Sequence, residues 1–132
     1  MKQVHVAVGI IILNDDFFLT KRHENAHQGG KWEFPGGKVE SGETIEQTLF
    51  RELKEEIGIE VLSCQPLLKI PHDYGDKQVL LDVFIVDNYS GEPVPQEGQQ
   101  GAWFNLEQLQ NIDFPEANQL IVTTLRTRGH GL

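Results

Sequence analysis

An α+β domain with a mixed β-sheet between helices is the fold class that this sequence predicts. Three observations carry that expectation. Val4, Val6, Val8, Ile10 and Ile12 fall at alternate positions, the period of a strand. Ile45, Leu49, Leu53 and Ile57 recur every four residues, the period of a helix. Short apolar runs divided by Gly, Pro and Asn-Asp turns fill the remainder, with no repeat, linker or low-complexity tract. At 132 residues and 39% hydrophobic side chains, the chain is expected to be one domain, 1–132, with enough apolar material for a core.

The elements follow in order. Val4 to Ile12 opens as a strand with its β-branched residues on one face, and Asn14-Asp15-Asp16 is turn material that sends Phe17 to Arg22 back as a hairpin. From His23 to Gly30 the periodicity is lost, which marks a loop. Trp32-Glu33-Phe34 is short and extended. Pro35-Gly36-Gly37 is expected to end it, because the proline restricts Phe34 to the β region and the glycines allow backbone shapes closed to other residues. Such a segment predicts something lying close to its backbone.

Thr44 to Ile57 is the clearest helix: Thr44 and Gln47 have capping-box spacing and Gly58 is placed to end it. Its apolar stripe needs a sheet to cover. Val61 to Ile70 and Gln78 to Val86 read as strands joined by the polar loop His72 to Lys77. Ser90-Gly91-Glu92-Pro93 is a turn and Ala102-Trp103-Phe104 a last short strand. Pro115 then opens a second helix, with Leu120, Ile121 and Leu125 as the buried stripe and Arg126 and Arg128 at its end, where cations suit the dipole. Trp32 and Trp103 are expected to pack in the interior.

Composition narrows the function. Eleven Lys and Arg against twenty Asp and Glu give a net charge of −9, which argues against a nucleic-acid polymer as partner. A single cysteine, Cys64, permits neither an internal disulfide nor a cysteine-based zinc site, and is expected to be a small buried side chain. Met1 to Val8 lacks the continuous apolar stretch of a signal peptide, and no run approaches the ~20 apolar residues of a membrane span. The cytoplasm is the expected compartment, with no membrane partner.

The charges of the Thr44 to Ile57 helix are unusual. Glu52, Glu55 and Glu56 stand at i, i+3 and i+4 on one face, and Glu52 with Glu56 is a like-charge pair that raises helix energy by a few tenths of a kcal/mol. By spacing, the neighbouring cations Arg51 and Lys54 point elsewhere. Carboxylates are hard oxygen ligands, which favour Mg²⁺ or Mn²⁺ over zinc. An arbitrary Glu-rich helix is more often a solvated face. Here Pro35-Gly36-Gly37-Lys38 precedes it, with Glu40 and Glu43 between, so backbone carbonyls, carboxylates and a phosphate-seeking lysine meet in one region. Those residue types predict a metal-phosphate site.

Gly37, five residues, Glu43, seven residues, then Arg51-Glu52-Leu53-Lys54-Glu55-Glu56-Ile57-Gly58-Ile59 resembles the Nudix box at every specified position. The resemblance implies a Nudix-like α/β/α sandwich that hydrolyses a nucleoside diphosphate linked to another group, with Mg²⁺ (Mn²⁺ in its place) as cofactor. It implies that Glu52, Glu55 and Glu56 bind metal together with the Gly36 carbonyl, that Arg51 orients a box glutamate, and that Glu43 is structural or outer-shell. Lys38 belongs to the same catalytic group.

Ala7-Val8-Gly9-Ile10-Ile11, Glu33-Phe34-Pro35-Gly36-Gly37-Lys38, Glu97-Gly98-Gln99 with Gly101 and Trp103, and Asp113-Phe114-Pro115 with Ala117-Asn118 together are similar to the MutT branch, the 8-oxo-dGTP diphosphatases. That similarity makes Glu97 a fourth carboxylate near the metal and a candidate to bind or activate water. It makes Asn118 the base reader, its amide offering a donor and an acceptor to a purine edge, and places Arg22, His27, Glu33, Phe34, Pro35 and Gly36 against the nucleotide. Val4, Val6 and Val79 supply apolar walls. His5, His23, His72 and His130 show no metal spacing. The loop Ile70 to Gln78, with Tyr74 and Lys77, is left unassigned as a place of variable substrate contacts.

The expected activity is hydrolysis of 8-oxo-dGTP, and more weakly dGTP, to monophosphate and pyrophosphate by a monomer, keeping the oxidised base out of DNA. The alternatives are a Nudix diphosphatase for another nucleotide, pyrimidine or oxidised, and a non-catalytic nucleotide-binding module, which usually loses the box carboxylates present here. The number of metal ions and the water-activating glutamate stay open. The segment from Gly37 to Ile59 holds six acids and three bases, a net −3, a third of the total charge. Clustered acids of this kind recruit cations, through which an acidic protein can hold a polyphosphate.

Overall fold

β1 (Gln3–Leu13) organises the fold in the computed structural model, which describes residues 3–26 and 29–128. His27 and His130 lie outside the described residues. A type of hairpin with Asn14 and Asp15 at φ 52° and 68° joins β1 to β2 (Asp16–Lys21), Leu13 facing Asp16. Asn and Asp tolerate this left-handed backbone better than other residues with a Cβ. β3 (Trp32–Glu33), β4 (Gly36–Lys38), α1 (Ile45–Ile57), β5 (Glu60–Asp73), β6 (Gln78–Ser90), β7 (Gly101–Asn105), α2 (Leu106–Leu109) and α3 (Glu116–Arg128) follow.

The sheet runs β3-β2-β1-β6-β5, with β4 also on β1 and β7 also on β2. β1 and β6 are parallel, pairing Val4 with Val79 and Val8 with Val83, while β5 and β6 are antiparallel. The sheet is therefore mixed, as the sequence predicts. Central position makes both faces of β1 apolar. Val8 and Ile10 meet Val83, Ile121 and Leu125 on one side, and Ala7 and Ile11 meet Leu49, Leu53 and Ile57 on the other. α3 and α1 thus cover opposite faces.

The caps of α1 form as expected: Thr44 accepts from Gln47 N at 3.1 Å, Gln47 answers on Thr44 N at 2.9 Å, and Gly58 closes the helix at φ 73°. The aromatic pairs Trp103 with Phe18 and Trp32 with Phe104 meet edge to face at 5.2 and 5.1 Å, so both tryptophans pack. Cys64 is half-buried rather than enclosed, resting against the α1-side core.

Four expectations change. Pro35-Gly36-Gly37 does not end the extended chain, because Gly36–Lys38 pairs with Val6–Val8 as β4. The glycines serve close approach instead of special dihedrals: a Cβ on Gly36 would overlap the Ala7 carbonyl oxygen, and one on Gly37 the Glu52 carboxylate. β5 and β6 outrun their apolar stretches, since ladder pairing continues to Asp73 with Gln78 and Glu60 with Ser90, leaving only 74–77 as loop. The short α2 went unread, although Asn105 and Gln108 form a capping box. On α3 the buried row is Ala117, Asn118, Ile121, Val122 and Leu125, and Leu120 is 48% exposed. The helix docks along its i, i+4 row from Ala117, which turns Leu120 outward. No helix among the described residues is long and apolar enough to cross a membrane.

Leu53 is fully buried between α1 and β1, with its Cδ1 against Gly9. Leu53→Ala should therefore destabilise the protein by about 2–5 kcal/mol in urea unfolding, and a loss well under 1 kcal/mol would contradict this packing.

Candidate active site

The glycines of β4 bring the acidic face of α1 against the sheet. Glu52 lies over Gly37, where any side chain would displace it. Arg51 curls back along its own helix instead of pointing away: Nε donates to Glu43 Oε2 at 2.6 Å, Nη2 to Glu43 Oε1 at 3.0 Å and Nη1 to Glu52 Oε2 at 2.9 Å. It also reaches Glu55 at 3.4 Å and the Lys38 carbonyl at 3.1 Å. The spacing argument fails here because a long guanidinium stem spans a turn that a fixed-direction side chain would not. Arg51 holds the Glu43 carboxyl down at about 2, helped by the Glu40 N–H and the Thr48 hydroxyl. Glu43 therefore anchors Arg51, and Arg51 in turn holds Glu52.

Glu56 is placed differently. It is 7% exposed, accepts from Thr20 Oγ1 at 3.1 Å and from Gly36 N at 3.3 Å, and lies near the carboxylates of Glu33 and Glu97. Burial first, then Glu33 and Glu97, push its pKa up to about 8. Burial also raises Glu52, against the pull of Arg51, with Glu55 and Glu97 adding to the rise. The four carboxylates Glu52, Glu55, Glu56 and Glu97 thus share one electrostatic neighbourhood. Glu56 and Glu97 face a cleft of about 190 Å³ together with Thr20, Arg22, Glu33 and Gln99.

This donor set suits a hard divalent cation, since a buried acid raised by like charges gains most from one. Among the described residues the acids are not drawn together as a finished cage. Arg51 bonds Glu52 and Glu55, and Gly36 donates its N–H to Glu56. Arg51 bonds Glu52 through Oε2, so a carboxylate that stays on Arg51 still has its other oxygen to offer an ion.

A second cavity of about 210 Å³ adjoins the first and shares Arg22 and Glu33 with it. Val4, Val6 and Val79 line it as expected, and Val8 and Leu81 extend the apolar wall. Asn118, 7% exposed, enters from the first turn of α3, and its Oδ1 accepts from Phe34 N at 3.4 Å. Phe34 is stacked on Phe114 with centroids 5.6 Å apart, so this edge is rigidly backed. Arg22 Nη1 donates to Glu33 Oε1 at 2.7 Å, and burial raises the Glu33 pKa against the pull of Arg22. Lys38, Lys77 and Arg22 bring three cations to this cavity in a protein of net charge −9. Burial lowers the Lys77 pKa, with Lys38 and Arg22 lowering it further.

Pro35 is buried and lines neither cavity; its carbonyl accepts from Gly9 N at 2.9 Å. Tyr74 and Lys77 do line the base-sized cavity, a place the sequence left unassigned. The signal for them is the β5 to β6 register, which no local pattern reveals.

The NUDIX domain family matches residues 3–125. The chain belongs to the Nudix family. It is 42% identical over 127 residues to the 8-oxo-dGTP diphosphatase of Escherichia coli K12, covering 96% of this chain and 98% of that one. It is 39% identical over 132 residues to the 8-oxo-dGTP diphosphatase of Haemophilus influenzae, covering 98% and 96%. A solved structure from a study of MutT from Aliivibrio salmonicida and Vibrio cholerae superposes with a TM-score of 0.82 at 43% identity, covering 92% of this chain and 95% of that chain. In this Nudix domain the box residues 37–59 form the Gly37 contact, the Arg51 network and the buried acid in one continuous piece.

A carboxyl whose pKa is raised by folding favours the folded state while protonated, so its contribution is lost as pH rises from the unfolded value of 4.5 towards about 8. In chelator, thermal unfolding of the wild type should show stability falling from pH 5 to pH 8, and Glu56→Gln should remove the larger part of that slope. An unchanged slope would place the proton elsewhere.

Proposed function

We propose that this chain is an 8-oxo-dGTP diphosphatase, adding water to 8-oxo-dGTP to release 8-oxo-dGMP and pyrophosphate. The observation that carries the reading is Asn118, buried beside an apolar wall in a cavity that shares Arg22 and Glu33 with the carboxylate cleft. Oxidation at C8 of guanine turns the N7 acceptor into an N–H beside a new carbonyl. An amide fixed at Oδ1 by Phe34 N meets that edge with a donor and an acceptor, and a site built on such bonds rejects bases that leave them unmade.

The phosphates extend from this cavity toward the cleft, drawn by Arg22, Lys38 and Lys77. Glu52, Glu55, Glu56, Glu97 and the Gly36 carbonyl would hold the divalent ion, Mg²⁺ in this reading with Mn²⁺ as substitute. A bound ion supplies neutralisation of the polyphosphate and Lewis acidity. Arg51 keeps Glu52 aligned over Gly37, and the proton of the attacking water passes to one of the cleft carboxylates, with Glu52 and Glu97 as the catalytic candidates. Glu33, Phe34, Gly36 and Val79 shape the nucleotide pocket. We read the 132 residues as one catalytic domain, acting as a monomer on free nucleotide in the cytoplasm, not on nucleic-acid polymer.

Steady-state turnover of 8-oxo-dGTP, dGTP, dCTP and ADP-ribose tests the reading. A clear preference for 8-oxo-dGTP that is abolished by chelator and restored by Mg²⁺ is expected, and comparable turnover of the panel would overturn it. Glu52→Gln should lower kcat at least about a hundredfold with the fold intact, and unchanged turnover would remove Glu52 from the mechanism.

A further inference from the structure

Asn118 is held by a helix terminus, so whatever fixes that terminus fixes the base reader. Of the first-turn N–H groups of α3, which a helix start leaves without partners a turn earlier, that of Asn118 is taken by the Pro115 carbonyl at 2.9 Å. Pro115, immediately before the helix, has no side-chain acceptor with which to cap them. The Ala117 N–H is instead taken by the hydroxyl of Tyr74, at 3.0 Å, from a loop 43 residues earlier. Burial holds the phenol protonated, its pKa raised.

The loop that supplies this cap is itself braced. Tyr74 N donates to the Lys77 carbonyl at 2.9 Å, Asp73 Oδ1 accepts from Gly75 N at 2.8 Å, and Gly75 sits at φ 93°, where a Cβ would be strained. The Tyr74 ring meets His72 edge to face at 4.5 Å, and His72 Nε2 lies 2.9 Å from Glu116 Oε2. The Glu116 side chain is 70% exposed, so that pair contributes little, and the buried-side bond of Tyr74 is the stronger tie. One turn carrying Lys77 is thereby clasped to the helix turn carrying Asn118, and both residues line the same cavity.

We propose that Tyr74 is a positioning residue for base recognition: its hydroxyl, by capping Ala117 N, sets the Asn118 amide and holds the Lys77 turn in register with it. This rests on the reading of Asn118 as base reader. It assigns Tyr74 to the selection of the nucleobase and leaves the hydrolytic step to the carboxylates.

Tyr74→Phe removes one oxygen and keeps the ring, so it separates the clasp from packing. The KM for 8-oxo-dGTP should rise about fivefold, the worth of one neutral hydrogen bond, with kcat little changed and the KM for dCTP rising clearly less. In ¹⁵N-labelled protein the Ala117 amide should exchange faster and the Asn118 side-chain amide resonances should move. An unchanged KM with both amides undisturbed would overturn the proposal, as would an equal fall in kcat on both nucleotides, the mark of a merely structural role. If the wild type turns over dCTP as readily as 8-oxo-dGTP, the functional reading falls while the clasp is still decided by the two amides: displaced, it stands; undisturbed, it fails.

Discussion

The close contact of α1 with β1 and β4 is the constraint on which the rest of this structure depends. Gly36 lies against the Ala7 carbonyl and Gly37 against the Glu52 carboxylate, with no Cβ between. This proximity carries the acidic face of α1 to the sheet edge. It also buries Glu56 between Thr20 and the Gly36 N–H, where its charge is costly. Leu49, Leu53 and Ile57 supply the apolar packing that holds the helix down on that side. Hydrophobic burial on one stripe of α1 thus stabilises an electrostatically unfavourable arrangement on the neighbouring stripe.

The acids on that stripe are not equivalent. Glu43 and Arg51 form a fixed, charge-assisted pair, and Glu52 shares the same guanidinium. Glu56 is bonded to a hydroxyl and a backbone N–H, with its pKa up near 8. The result is one acid already neutralised by a cation and one in need of it. Burial and the like charges of Glu33 and Glu97 favour the protonated form of Glu56 at neutral pH, a proton that a bound cation would displace.

The opposite face of the sheet carries the cavity that the proposed reading assigns to the nucleobase. α3 lies on the β1 and β6 core, and its first turn projects Asn118 between Phe34 and the apolar wall of Val79 and Leu81. Arg22 and Glu33 stand between this cavity and the acidic cleft. In the proposed reading, base recognition and phosphate chemistry occupy adjoining spaces built by opposite helices. The surplus acidity of the chain coexists with a locally cationic cavity mouth at Lys38 and Lys77, which reconciles a net charge of −9 with an anionic ligand.

Much of this was legible without coordinates because it is local. The β-branched alternation of β1, the Thr44–Gln47 box, the Gly58 terminus and the Glu52, Glu55, Glu56 face depend on residues a few positions apart, and periodicity reports them. The family motif adds Arg51 and Glu43 at fixed spacing, and the wider MutT similarity adds Glu97. What tertiary structure alone decided involves residues far apart in the chain. It put Gly36–Lys38 into a strand and turned Leu120 outward. It also brought Tyr74 to Ala117. Each of these outcomes is set by strand register, docking angle or side-chain reach. Such quantities follow from the balance of packing over the whole fold, so no window of sequence contains them.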